Sequence, residues 1–270
     1  VRTSRSDMTF QYHFSAKSDP GRTRDNNEDS VAYDEITSTI VLADGMGGYN
    51  AGEIASGMAS AFIKSELSRW LSEAGESATA REVRRAMEIC VDNANRSIYN
   101  AANSNAHYAG MGTTLVVGVF KDDKLILGHI GDSRCYRLRS QGLEQITKDH
   151  SLLQEQIDAG LITPEQAVNS TIKNLVTRAL GVDESVLLDV NEHTVQEGDI
   201  YLLCSDGLSD MVDDPAIAKI VSADMALEHK AIHLVDLAND NGGRDNISVL
   251  LVEVHEAAEK RGLLARWLSK

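Results

Sequence analysis

The chain has 270 residues, and 26 Lys and Arg against 41 Asp and Glu give it a formal net charge of −15 at pH 7. A hydrophobic content of 42% with 25% charged residues is typical of a folded globular protein and excludes a disordered chain. The acidic balance argues against nucleic acid as a partner, because binding to phosphates needs a basic face.

The three cysteines, Cys90, Cys135 and Cys204, stand far apart and form no CxxC pair. This spacing indicates neither a disulfide framework nor a zinc site, and it fits a reducing compartment. Residues 1–8 are polar, and apolar runs such as 115–120 are too short to cross a membrane. We therefore expect a cytoplasmic protein without a transmembrane segment, in which residues 1–8 are an N-terminal extension.

The first half of the chain predicts strands at 10–17, 30–33 and 39–43, then two long helices at 51–72 and 82–102. A spacing near 3.6 residues predicts the buried face of the first helix at Ile54, Met58, Ala61, Phe62, Leu67 and Leu71. In the second helix the same spacing selects Val83, Met87, Cys90 and Ala94. Further strands are predicted at 113–120, 124–130 and 135–139, with a turn at 121–123.

The second half begins with a polar, broken segment at 147–182, with short helices near 152–159 and 164–169. The remaining pattern predicts strands near 186–190 and 199–204, helices at 215–221 and 226–239, and a strand at 246–254. Strands, then two adjacent helices, then more strands indicate an α+β layered domain rather than a βαβ repeat.

No repeat or linker interrupts this pattern, so we expect one domain over residues 9–255. Residues 256–270 predict a C-terminal helix or tail, with a basic amphipathic stretch at 260–270. For that stretch, docking on the domain is favoured over contact with a partner or a membrane.

Acidic residues stand next to glycine at the ends of several predicted strands. Three such sites are Asp44-Gly45, Gly131-Asp132 and Asp206-Gly207. Two more acidic sites open strands: Asp245, which follows Gly242-Gly243-Arg244, and Glu28-Asp29. A single Asp-Gly pair usually marks a turn. Five acidic strand-end sites in one domain weaken that interpretation, because strand ends in a layered sheet meet at one edge. These carboxylates are therefore candidates to share a cleft.

A shared cleft of carboxylates requires protons or cations, because two like charges 4 Å apart repel by about 4 kcal/mol at an effective dielectric constant near 20. Oxygen ligands alone select hard cations, Mg²⁺ or Mn²⁺. A calcium loop fits less well, because residues 25–30 lack the glycine needed at the sixth position. A histidine-ligated phosphoesterase also fits less well, because six of the histidines lie outside every acidic cluster. They are His13, His107, His193, His229, His233 and His255.

Eight segments, in order, resemble the motifs of the metal-dependent type 2C protein serine/threonine phosphatases, and most closely those of the bacterial branch. They are residues 19–29, 43–48, 110–114, 131–134, 149–151, 177–181, 205–208 and 243–246. The resemblance implies an α-β-β-α sandwich of two stacked antiparallel sheets flanked by helices. It also implies that residues 148–182 form a flap beside the active site.

The resemblance implies a metal site with two tight ions, Mg²⁺ or Mn²⁺, and a weaker third. Its metal residues would be Asp29, Asp44, Gly45, Asp132, Asp206 and Asp245, supported by Glu28 and Asn246. Asp44 would bridge two ions, and Asp206 and Asp245 would bind one of them directly. Glu28 and Asp29 would act mostly through water, Asn246 would orient the turn, and Asp132 would join Asp206 at the third ion. A turn residue is the less favoured alternative for Asp132.

The implied activity is hydrolysis of phosphoserine and phosphothreonine in proteins, opposing a Ser/Thr kinase, by a water that two metal ions activate. Arg24 would bind the phosphate with its planar fork; taken alone it would form a surface ion pair. Where eukaryotic members carry histidine, this chain has Met46, and Tyr49 is poorly matched as an acid at pH 7, so water is the expected proton donor. The alternative is a catalytically silent, metal-binding regulatory module of the same fold. We expect a monomer.

Overall fold

A computed structural model describes residues 10–48, 51–167 and 175–257. The predicted N-terminal extension, Tyr49 and residues 258–270 of the predicted tail lie outside these ranges. Among the helices of the described residues, none has the length and apolarity needed to cross a membrane.

Two antiparallel sheets form the centre of the fold. Sheet A contains, in spatial order, β1 (Phe10–Asp19), β11 (Ile247–Glu256), β10 (Ile200–Cys204), β7 (Arg134–Arg139) and β8 (Gly142–Gln145). Sheet B contains, in spatial order, β2 (Asp29–Asp34), β3 (Thr39–Met46), β5 (Leu115–Lys121), β6 (Lys124–Ile130) and β9 (Asp189–Thr194), and β4 (Gly112–Thr113) pairs with the end of β3. β1 is an edge strand that pairs with β11 from Phe10 opposite Glu256 to Asp19 opposite Ile247.

Helices cover the outer face of each sheet. On sheet B lie α1 (Ala51–Ala74) and α2 (Ala80–Ser104), and on sheet A lie α5 (Asp206–Ser209), α6 (Asp214–Val221) and α7 (Leu227–Asp240). Two short helices, α3 (Leu152–Asp158) and α4 (Pro164–Ala167), stand in the segment between β8 and β9. The predicted α-β-β-α sandwich is confirmed.

Local sequence signals explain where several elements begin and turn. α2 starts at a capping box, in which the Thr79 hydroxyl accepts from Glu82 N at 3.3 Å and the Glu82 carboxylate accepts from Thr79 N at 2.8 Å. α6 starts at Asp213, whose carboxylate accepts from Ala216 N at 2.9 Å. The β5–β6 turn places Asp122 at φ 54°, a left-handed conformation that Asp tolerates.

Three apolar layers hold the sandwich together. One lies between the sheets, with Ile40, Leu42, Tyr201 and Leu203 among its members, and one lies under each helical layer. Because both faces of each sheet are covered, the central strands are continuous apolar runs without polar alternation, as in 115–120.

Three sequence predictions need correction. The buried face of α1 is formed by Ala55, Ala59, Ile63, Leu67 and Leu71, whereas Ile54 and Ala61 are exposed. The strand predicted near 186–190 is β9, which lies three to four residues later, and β8 was not predicted. β8 and β9 are edge strands with polar faces, so their hydrophobic signal is weak.

Candidate active site

Sheet B contributes two neighbouring carboxylates from the ends of β2 and β3. Asp29 and Asp44 stand directly opposite each other in the β2–β3 pair. The backbone of Asp44 is held from the other side by Thr114, whose N–H donates to Asp44 O at 2.9 Å and whose Oγ1 accepts from Asp44 N at 3.0 Å. These bonds fix the direction in which the Asp44 carboxylate leaves the strand.

Sheet A contributes Asp206 and Asp245 to the same region. Asp206 follows β10 and opens α5, and Asp245 stands two residues before β11, the strand that pairs with β10. Asp132 lies between β6 and β7, where the chain passes from sheet B to sheet A, and it is 8% exposed. The carboxylates thus come from both sheets and meet at one edge of the sandwich.

These residues surround an open cleft of about 280 Å³. It is lined by Arg24, Glu28, Asp44, Gly45, Met46, Gly47, Thr114, Asp132, Val176, Asp206 and Asp245. Seven of the nine nominated site residues therefore share one cleft. The other two, Asp29 and Asn246, do not line it and contact its supporting loops instead.

Arg24 is the cationic side chain in the wall of this cleft. Its Nη2 donates to Asp245 Oδ2 at 2.7 Å, and the arginine side chain remains 51% exposed. The bond to Asp245 raises the pKa of Arg24, with Glu28 and Asp206 adding to the effect. The guanidinium is therefore charged, positioned and accessible from solvent.

Asn246 ties three parts of the site together. Its amide nitrogen donates to Pro20 O at 3.0 Å and to Asn26 O at 2.8 Å, while its Oδ1 accepts from Glu28 N at 2.8 Å. The loop that carries Arg24 and Glu28 is thereby fastened to the start of β11. This contact fits the predicted role of Asn246 in orienting the loops of the site.

Three glycines allow the backbones at the site to approach closely. A Cβ on Gly45 would overlap the carbonyl of Gly52, and a Cβ on Gly52 would lie 2.8 Å from Glu28 Oε2. Likewise, a Cβ on Gly207 would overlap the carbonyl of Asn246. The glycines that follow Asp44 and Asp206 are thus needed for packing at the edge of the cleft.

The carboxylates of the site are poorly solvated and repel one another. Loss of solvation raises the pKa of Asp44 and that of Asp206 well above the usual range, and the neighbouring aspartates add to both shifts. Burial also raises the pKa of Asp29 to about 6 and that of Asp132 to about 6. A group of acids that resists losing its protons is one that a bound cation would stabilise in the charged form.

The residues fit a site for divalent ions. The donor set is entirely oxygen, and Asp29 Oδ1 is a buried acceptor without a hydrogen-bond partner among the described residues. Asp29 Oδ2, in contrast, accepts from the Ser205 hydroxyl at 2.8 Å. The repulsion, the oxygen donors and the unpaired acceptor all point to hard cations.

Two contributors were not singled out from the sequence. Thr114 and Ser205 stand inside the predicted motif segments, but a hydroxyl gives no charge signal of its own. The structure shows them holding Asp44 and Asp29. Two buried histidines hold the loop after β6: His129 Nε2 lies 2.9 Å from Ser133 O, and His150 Nδ1 accepts from Gly131 N at 3.1 Å.

The segment predicted as a flap runs beside the cleft. Val176 lines the cleft, and Leu180 exchanges backbone hydrogen bonds of 3.0 and 2.8 Å with Thr113. Arg178 anchors the segment to β9 through Asp189 Oδ1 at 2.9 Å. Both anchors hold the described part of the segment to sheet B, the sheet that carries Asp29 and Asp44.

The family model for protein phosphatase 2C matches residues 22–239, which include every nominated residue except Asp245 and Asn246. The chain therefore belongs to the protein phosphatase 2C family, and the resemblance predicted from its motifs is confirmed.

Relatives with known names agree with this assignment. The serine/threonine phosphatase stp of Listeria monocytogenes is 38% identical over 244 residues, which cover 89% of this chain and 95% of that protein. The crystal structure of the Mycobacterium tuberculosis serine/threonine phosphatase PstP/Ppp is similar with a TM-score of 0.83 and 37% identity, covering 91% of this chain and 99% of that chain. The catalytic domain of the phosphatase PstP, solved with two manganese ions, has a TM-score of 0.78 and 36% identity, covering 92% of this chain and 100% of that chain.

Proposed function

We propose that this chain is a metal-dependent protein phosphatase that hydrolyses phosphoserine and phosphothreonine and opposes a Ser/Thr protein kinase. The observation that carries the proposal is the convergence of Arg24 with strand-end carboxylates of both sheets on one cleft. Family membership and the named relatives support it. The catalytic domain would span residues 9–255, with 148–182 as its flap.

In this proposal Asp44, Gly45, Asp206 and Asp245 hold two divalent ions, Mg²⁺ or Mn²⁺. Asp29 and Glu28 support their water ligands, and Asp132 with Asp206 holds a weaker third ion. When bound, the ions supply Lewis acidity toward the phosphoryl oxygens and lower the pKa of water so that hydroxide is available near pH 7. The relative solved with two manganese ions supports this assignment.

Arg24 binds and orients the phosphate in this proposal. Its bond to Asp245 uses one N–H group and leaves the rest of the planar fork for phosphate oxygens. A cleft of about 280 Å³ is small for a ligand pocket, so it admits the phosphorylated side chain while the rest of the substrate protein stays outside.

The leaving serine or threonine oxygen needs a proton. In this proposal the aspartates of the cleft hold the ions as charged carboxylates, and the other described residues of the cleft offer no suited side chain. Met46 lines the cleft at the position after Gly45 and carries only a thioether. Water is therefore the proposed donor. We also propose a cytoplasmic location, which the three buried cysteines without disulfide bonds support. We further propose that the protein is a monomer.

The test is hydrolysis of a phosphothreonine peptide with Mn²⁺, with EDTA and with two conservative variants. Asp206→Asn removes one charge from the cleft, so turnover should fall by orders of magnitude and bound metal should decrease. Asp122→Asn is the matched control, because Asp122 lies in an exposed turn and asparagine tolerates its positive φ. Full activity in EDTA, or in Asp206→Asn, would overturn the proposal.

A further inference from the structure

A second cluster of metal-ligating side chains lies on sheet A, outside the cleft. It consists of His13 on β1 with Glu253 and His255 on β11, and the three ligand atoms lie within 4.8 Å of one another. The β1–β11 register explains the grouping. His13 stands directly opposite Glu253, and His255 is two residues further along the same strand, so all three side chains leave the same face of the sheet.

The two imidazole rings of this cluster are in contact. Their centroids are 4.5 Å apart, with the ring planes inclined by 44°. The Nε2 atom of His255 is buried and lies 3.1 Å from Glu253 Oε2. This contact does not have hydrogen-bond geometry, so the nitrogen has no hydrogen-bond partner among the described residues. A ring nitrogen that forms no hydrogen bond, beside a carboxylate and a second imidazole, is available as a ligand for a metal ion.

The cluster is far from the proposed catalytic metals. The cleft begins next to Ile247, at the start of β11. Glu253 is six positions further along this strand, which corresponds to about 20 Å at roughly 3.3 Å per residue. Glu253 also lines a separate cavity between sheet A and α6, together with Lys219 and Lys230. The charged groups near the cluster therefore include these two lysines and do not include the carboxylates of the cleft.

We propose that His13, Glu253 and His255 form a second metal site, which binds a zinc-class ion rather than Mg²⁺. Two imidazoles and one carboxylate are a ligand set that zinc uses, with an open position left for water. Ligand atoms around tetrahedral zinc are about 3.3 Å apart, given bond lengths near 2.0–2.1 Å. Small side-chain rotations would therefore close the cluster on an ion.

The position of the site gives it a structural consequence. β1 is an edge strand whose one neighbour in sheet A is β11. An ion held by His13 on one strand and by Glu253 and His255 on the other would fasten this edge. Because the ligands come together only in the folded protein, binding should raise the resistance to unfolding.

Cobalt provides the test, because four-coordinate Co²⁺ with nitrogen ligands absorbs visible light much more strongly than six-coordinate Co²⁺ with oxygen ligands. The full chain is titrated with Co²⁺ in excess Mg²⁺, which occupies the carboxylate cleft. We expect one equivalent to develop the four-coordinate spectrum and Zn²⁺ to displace it. His13→Ala and His255→Ala should each weaken binding at least tenfold, since loss of even a ligand-supporting group costs about that much.

The matched control is the double variant His229→Ala/His233→Ala. It removes two exposed histidines four residues apart on α7, the spacing at which a helix can also chelate a metal. This variant should keep the cobalt spectrum. The proposal is overturned if wild-type protein gives no four-coordinate spectrum, if His13→Ala leaves it unchanged, or if the control abolishes it.

Thermal unfolding gives an independent measurement. Zn²⁺ in the presence of excess Mg²⁺ should raise the melting temperature of wild-type protein and of the α7 control, and it should not raise that of His13→Ala. Hydrolysis of an aryl phosphate with Mg²⁺ should be equal in all these proteins, because none of the changes touches the cleft. An equal zinc-induced shift in His13→Ala would contradict the site.

Discussion

The hydroxyl of Ser205 donates a hydrogen bond of 2.8 Å to Asp29 Oδ2, and this bond joins the end of β10 in sheet A to the start of β2 in sheet B. The Oγ atom of Ser205 also accepts a hydrogen bond from Ser248 N at 2.9 Å, so this hydroxyl is connected to β11 as well. Since Asp29 stands opposite Asp44, Ser205 positions the carboxylate beside the proposed bridging ligand. One small side chain thus links the two sheets at the cleft.

We predict that Ser205→Ala lowers the free energy of unfolding by about 1–3 kcal/mol, because it leaves a buried carboxylate and a buried N–H without their partner. It should also weaken metal binding, which calorimetry would measure. Ser60→Ala is the control, because the buried Ser60 hydroxyl bonds only neutral groups, Ser30 and Gly57 O. Equal metal affinity in the two variants would show that Ser205 has no positioning role.

Two glycines of α1 form a matched pair for a second prediction. Gly57 has open space around the position of a Cβ, so Gly57→Ala should stabilise the protein by about 0.5–1 kcal/mol. In Gly52→Ala the new methyl group would lie 2.8 Å from both Glu28 Oε2 and Gly45 C. That variant should lose stability and turnover together, as measured by urea unfolding and peptide hydrolysis. Unchanged turnover would show that the cleft tolerates movement of α1.

A third prediction concerns pH and the metal-free protein. Burial raises the pKa of Asp132 from 3.8 to about 6, so the folded state holds this proton more tightly than the unfolded state does. Between those two values the free energy of unfolding falls as the pH rises, by roughly 3 kcal/mol in total for a shift of about two units. Asp132→Asn carries no such charge and should gain stability relative to wild type as the pH rises.

Comparing the two proteins cancels the effect of groups with which Asp132 does not interact. Burial lowers the pKa of His129 to about 4, which makes stability increase with pH and would mask Asp132 in wild type alone. In EDTA we expect the gain of Asp132→Asn over wild type to grow by about 1–2 kcal/mol between pH 5 and 7.5. A difference that stays constant across this range would mean that Asp132 is well solvated.

A fourth prediction separates binding from stability at Arg24. Arg24→Ala should raise the KM for a phosphopeptide about tenfold or more, because a charged hydrogen bond to the phosphate is lost. Stability should change by less than about 1 kcal/mol, since the ion pair with Asp245 is half exposed. Arg22→Ala, in the same loop and exposed, is the control. A similar KM in Arg24→Ala and Arg22→Ala would contradict phosphate binding by Arg24.

The cleft was predictable because its acids stand at the ends of apolar strands, and three of them, Asp44, Asp132 and Asp206, are next to glycine. The buried face of α1 was not predictable in this way. Hydrophobicity favours Ile54 as a buried residue, but Gly52 contacts Gly45 and brings the helix very near the sheet. Small residues must therefore occupy the next positions on that face. Ala55, Ser56 and Ala59 take those positions, and Ser56 Oγ donates to Glu28 O at 2.5 Å. Close packing decided this face, and packing partners cannot be read from one segment.

Because Asp29 and Asp44 are carried by one sheet and Asp206 and Asp245 by the other, the apolar layer between the sheets acts as a spacer. Its thickness, set by side chains such as Tyr201 and Leu42, fixes the gap across which the proposed pair of cations would be held. Sequence variation in this spacer can therefore tune which ion is preferred, and how tightly it is held, while every residue of the cleft stays the same.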